Sequence, residues 1–180
     1  MIIARELRKQ NIAEYLIYMF HLEDLIRAYN ADIELLYKNH IQHFNIEKKE
    51  LSETRDWYAT FCRMMKEENL MERGHLQFLK NKMNELESFH VRLLLSSEES
   101  YYKQVFNECV DDLNLFRKKS NLNNCGDVEL AITALYMLFL MRLKKMEIKN
   151  DTLESLERIS RCMSVLAKKY REFEEGIAEF

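Results

Sequence analysis

The segment FHLEDLIRAYN, Phe20 to Asn30, sets a histidine, a glutamate and an aspartate close together in an apolar, aromatic stretch. Imidazole beside carboxylate is the raw material of metal ligation and of acid–base chemistry, so geometry must decide whether the three can meet. On a helix each residue turns by about 100°. Glu23 then falls with Met19 and Ile26 on the core-facing side, whereas His21 lies about 200° away and Asp24 about 100° away. The triplet does not converge. His21 and Asp24, three apart, are expected on a solvated face, and two ligands alone make a poor metal site. Glu23 is different, because a carboxylate in an apolar stripe costs free energy unless a partner satisfies it. Arg27, four residues on, is one candidate partner, and a cation from another helix is the other.

The same test singles out His75 and His90, which share the face of Leu79, Met83 and Leu86. Fifteen residues of helix separate them by roughly 22 Å, too far for one ligand to bridge. Each is expected to be a hydrogen-bonded core histidine, with one of them the alternative partner of Glu23. Arg142 ends the most apolar stretch of the chain and must find a carboxylate, a carbonyl or solvent. Glu23, Arg27, His75, His90 and Arg142 are therefore the candidate binding residues or buried polar cluster. No catalytic residue, metal site or cofactor is expected. The sequence has no dinucleotide fingerprint, phosphate loop, nucleophile elbow or zinc-protease motif, nor the paired E-x-x-H of di-iron bundles. Tyr101, Tyr102, Tyr136 and Trp57 sit at helical spacing and read as core rather than as stacking platforms.

The elements that must position these residues are helices. The 180 residues contain no proline and three glycines, against average expectations of about 9 and about 13, so long uninterrupted elements are predicted. A first helix is expected from Ala4 to Tyr29. A second follows the N-cap Asp32 to about Phe44, a third spans Glu47 to Asn69, and a fourth follows Gly74. Ser96 with Glu99 reads as a capping box opening a fifth helix that runs through Phe116. The polar loop Ser120–Asp127 leads to LAITALYMLFLM, apolar all around its wheel, which marks a central helix near residues 128–146. Asp151 with Glu154 reads as the start of the last helix. The prediction is an all-α, antiparallel up-and-down bundle of about seven helices in a single domain over residues 1–180.

Composition narrows the function classes. A net charge of −3 offers no global field for nucleic acid or anionic lipid, and the short basic groups lie near acidic residues. Nucleic-acid binding is therefore not expected. Cys62, Cys109, Cys125 and Cys162 stand far apart without metal-ligand spacing, as reduced thiols of a cytoplasmic protein would. The run Leu130–Met141 is too short to span a bilayer, so no membrane partner is expected, and the opening MIIARELRKQN has no signal-peptide core.

With MIIARELRKQNIAEYL at the start, EDLIRA at Glu23–Ala28, GHLQ at Gly74–Gln77, HVRLL at His90–Leu94 and ALYMLFLMRL at Ala134–Leu143, the chain resembles a bacterial family of small helical proteins, a domain of unknown function, over its full length. The resemblance implies a helical bundle and assigns no activity. His21 stands where that family's pattern leads one to expect glutamine. Two functions follow as expectations. The first is a non-enzymatic bundle acting through self-association, as a homodimer for example, or through a protein partner, suggested by the over-apolar central helix and ten methionines. The alternative is a small-molecule-binding or catalytic bundle with a polar pocket around Glu23.

Overall fold

The computed structural model describes residues 2–178. They form nine α-helices: α1 Ile2–Gln10, α2 Ile12–Ala28, α3 Ile33–Asn39, α4 Lys48–Glu67, α5 Gln77–Leu95, α6 Ser100–Asn107, α7 Val110–Ser120, α8 Asp127–Leu143 and α9 Asn150–Glu174. A 3-10 turn, Ile41–His43, follows α3, and there is no strand among the described residues. The fold is all-helical.

Nine helices rather than seven arise from two breaks. The expected first helix divides at Asn11, whose side-chain oxygen accepts the Ala13 and Glu14 amides and so caps α2. The expected fifth divides at Glu108 and Cys109 into α6 and α7. Neither break uses a left-handed residue, Asn11 having φ of −153° and Cys109 of −120°, but at other helix ends residues besides glycine take the left-handed conformation that closes a helix. Asn30, Asn69 and Lys145 have φ of 52°, 57° and 53°. After each of them an amide reaches back across the last turn, Ala31 to Ile26, Leu70 to Met65 and Met146 to Met141, at 2.8, 2.8 and 3.0 Å. These are Schellman closures made without glycine.

Capping was read correctly at Asp32, which accepts the Glu34 and Leu35 amides. The two capping boxes are corrected. Ser96 accepts the Glu98 amide at 3.3 Å, while Glu99 turns to the Lys169 ammonium at 2.7 Å. α9 begins at Asn150 with no side-chain cap, leaving Asp151 to complement the helix dipole from the first turn.

The core is continuous through all these helices. α8 packs on α2, α5, α7 and α9, as its apolar sequence requires, and it buries Val128, Leu130, Ala131, Ile132, Ala134, Leu135, Tyr136 and Leu138. Burial stops there: Met137 is 46% exposed and Leu143 60% exposed, so the central helix is buried over its first two-thirds only. α2 is enclosed in the same way, between α1, α4, α8 and α9. Its buried set, which includes Tyr15, Leu16, Met19, Phe20, Leu22 and Ile26, covers more than one side. α2 therefore has no simple wet face. No helix among the described residues is long and apolar enough to cross a membrane.

Candidate functional site

Glu23 is fully buried, as its register with Met19 and Ile26 requires. One carboxylate oxygen meets His75 Nδ1 at 2.5 Å and the other accepts the Leu76 backbone amide at 2.8 Å. The His75 ring stacks on Phe20, with centroids 3.7 Å apart and planes 16° apart. Leu76 is the N-cap of α5, so a side chain from α2 supplies the acceptor that the start of α5 lacks. Glu68 does the same for the next amide, Gln77, at 2.7 Å.

Arg27 works on the same connection but not on Glu23. Its Nη1 pairs with Asp24 at 2.7 Å, its Nε donates to the Leu70 carbonyl at 2.9 Å, and its Nη2 donates to the Gly74 carbonyl. The Tyr136 hydroxyl from α8 donates to the second Asp24 oxygen at 2.5 Å. Glu23, Arg27 and His75 are thus brought together as a clasp between α2 and the segment 70–76. Both Glu23 oxygens are committed within it. Asp24, expected to be merely solvated, is a working member because α8 packs beside it.

His90 and Arg142 lie elsewhere. Arg142 is exposed at the end of α8. His90 is 2% exposed, and its Nδ1 lies 2.6 Å from the Tyr102 hydroxyl. Its Nε2 has no hydrogen-bond partner and faces Asp127 Oδ2 across 3.8 Å. Asp127 Oδ1 accepts from Arg117 at 2.6 Å. Glu87, one turn before His90 on α5, accepts the Val128 amide at 2.8 Å and the Asp127 amide at 3.3 Å. It thereby caps α8, which has no side-chain cap of its own. Residue 126 must be glycine for this, since a Cβ there would lie 2.5 Å from a Glu87 oxygen. Glu87, His90 and Asp127 each offer a ligand atom, and these atoms lie within 4.8 Å of one another.

Beside this trio is a void of about 10 Å³ bordered by His90, Tyr102, Cys109, Asp127 and Cys162. The two thiols interact: Cys162 pulls Cys109 down, and Cys109 together with burial pushes Cys162 far up. All four cysteines are free. Sequence reasoning named His90 alone. A single E-x-x-H, Glu87 to His90, was visible but lacked its sequence pair; the fold completes it with Asp127, 40 residues beyond Glu87.

A third feature also escaped the sequence. His21, expected on a wet face, is half-buried, with its ring edge-on to Phe139 at 5.0 Å and its Nδ1 buried without a partner. With Tyr18, Leu25, His40, Phe44 and Tyr58 it lines a cleft of about 230 Å³. Burial lowers the proton affinity of both His21 and His40 and pushes Tyr18 up to about 12. A larger groove of about 340 Å³ adjoins it through Ile3 and Phe44, with Ile46 on its wall and Arg5, Glu50 and Glu53 at its edge.

No curated protein sequence and no solved structure matches the chain. The model of one family, described as a domain of unknown function and designated DUF4924, matches residues 1–176. An all-helical chain matched over that length belongs to the DUF4924 family.

Proposed function

We propose that this is a non-enzymatic helical-bundle protein, its helices packed up and down, which acts by self-association. In this reading the groove beside Ile3, Phe44 and Ile46 receives the end of α8 from a second copy. The observation that carries it is a complementarity between two exposed surfaces. Ile3 and Ile46 are 51% and 39% exposed around a groove edged by Glu50 and Glu53 against one cation, Arg5. Leu143 and Met146, 60% and 52% exposed, sit among the exposed cations Arg142, Lys144 and Lys145 at a corner turned by the left-handed Lys145. Apolar anchors would be buried while opposite charges fix the register. A cytoplasmic setting goes with this reading, since four free cysteines, three of them buried, persist as thiols in a reducing compartment.

Sedimentation velocity across a concentration series tests the proposal. Dimers or larger assemblies are expected, lost in Leu143→Asp and in Ile46→Glu. The double reversal Glu50→Lys with Glu53→Lys should weaken association, and adding Lys144→Glu with Lys145→Glu should restore it. A wild-type chain that stays monomeric at every concentration overturns the reading.

A second reading rests on His21. An imidazole nitrogen buried without a partner beside an apolar cleft suits a small, mostly apolar ligand carrying one hydrogen-bonding group. This moves the small-molecule alternative from Glu23, whose oxygens are taken, to the other side of α2. Adding neutral phenols or aliphatic alcohols should shift the His21 and His40 ring resonances before others. Resonances that do not move at millimolar ligand remove this reading.

A further inference from the structure

We infer that Glu87, His90 and Asp127 form a binding site for one divalent transition-metal ion of the Zn²⁺ class, joining α5 to the start of α8. Three potential ligands converge there within 4.8 Å of one another. Convergence of carboxylates alone would mean little, since Glu87 is also the cap of α8 and Asp127 is also the partner of Arg117. The decisive group is His90. Its ring is almost wholly buried, and its Nε2 is without a hydrogen-bond partner while facing Asp127 Oδ2. At 3.8 Å the two atoms are too far apart to hydrogen bond. They are at a suitable separation to flank a common ion, because two ligand bonds of about 2.1 Å span up to about 4.2 Å.

The surroundings favour the same assignment. Tyr102 lies 2.6 Å from Nδ1, and its hydroxyl oxygen is placed to accept a hydrogen bond from Nδ1–H. That tautomer leaves the Nε2 lone pair toward Asp127, the outer-shell arrangement that fixes a metal-bound histidine. Arg117 holds Asp127 Oδ1 and leaves Oδ2 toward His90. Glu87 oxygens already accept amides, yet each keeps a second lone pair. Two carboxylates against one guanidinium leave the cluster one negative charge to be balanced, which favours a cation. One nitrogen and two oxygens suit Zn²⁺, Co²⁺ or Mn²⁺ better than a thiolate-seeking ion.

The test uses the full chain, stripped by chelator and titrated with Zn²⁺ and, separately, Co²⁺. One ion per chain is expected, with visible Co²⁺ d–d bands of a protein site and a rise in melting temperature. His90→Gln and Asp127→Asn should each weaken binding by more than about tenfold. The exposed-imidazole control His43→Ala should leave it unchanged. Where a variant fails to fold by circular dichroism, the His90 Nε2 resonance of the wild type decides: Zn²⁺ must displace it. Absence of stoichiometric binding by the folded wild type, a stationary Nε2 resonance, or equal affinity in folded His90→Gln overturns the assignment.

Discussion

Replacing Glu23 probes the clasp directly. In Glu23→Ala the Leu76 amide, inside a fully buried residue, loses its acceptor, and His75 Nδ1 loses its carboxylate. An unsatisfied buried amide costs about 1–3 kcal/mol. The His75 side chain is 29% exposed, so water can replace part of what the ring loses, and the contribution of the pair is discounted to about 1 kcal/mol. Emptying the volume of the glutamate side chain adds about 1 kcal/mol more. The sum is about 3–5 kcal/mol, which moves the urea midpoint down by about 1.5–2.5 M at an m-value near 2 kcal/mol/M. Glu23→Gln keeps the shape and one acceptor for the Leu76 amide, so it should cost about half as much. His75→Ala should cost less than Glu23→Ala, because Leu76 still satisfies one carboxylate oxygen. Equilibrium urea unfolding followed by circular dichroism gives all three values. If Glu23→Ala lies within about 1 kcal/mol of wild type at unchanged m, the buried carboxylate is not holding the segment 70–76 in place and the reasoning fails.

Three further outcomes follow from the geometry. Burial depresses the proton affinity of His21 and His40 below the ordinary 6.5, so the unfolded chain takes up protons first. Stability from these two residues should be complete above about pH 6.5 and fall as the pH drops below it, with a shallower fall in His21→Gln; a urea midpoint that holds level down to about pH 5 would contradict this. Asn11→Ala removes the cap of α2 and should cost about 1 kcal/mol by thermal unfolding, whereas a loss under about 0.3 kcal/mol would mean that the break at Asn11 is not held by its side chain. Gly126→Ala drives a Cβ to 2.5 Å from Glu87 and should cost about 1–3 kcal/mol, and truncating Glu87 in the same chain should recover part of the steric loss; additive costs would show that the close approach is not what restricts residue 126.

Much of this was legible in the sequence, and each failure has a physical cause. The all-round apolar run at 130–141 announced an enclosed helix, and the register of Glu23 with Met19 and Ile26 announced a buried carboxylate, because periodicity reports burial. A histidine was one expected partner beside Arg27, and His75 fills that role, though from the connection ahead of α5 rather than from a helical face. It misassigned His21 because α2 is covered on several sides, so being off the main stripe did not mean being in water; Asp24 is exposed as expected, yet it also holds Arg27 and Tyr136. It could not give the surroundings of His90, since Asp127 comes from another helix and nothing local shows that Glu87 reaches backbone amides some 40 residues away. Helix breaks were under-counted because the two extra ones fall at Asn11 and at Glu108–Cys109, where no glycine or proline marks the chain.

The bond from the Leu76 amide to Glu23 bears on how the molecule breathes. Most helical amides exchange with solvent when their own helix frays, but this one is held by a side chain 53 positions earlier in the chain. Deuterium reaches it only when α2 and the segment 70–76 part, so its exchange rate measures the separation of two remote segments rather than the fraying of one. The front of α5 is in this sense a sub-global opening unit shared with α2, and a single slow amide serves as its reporter.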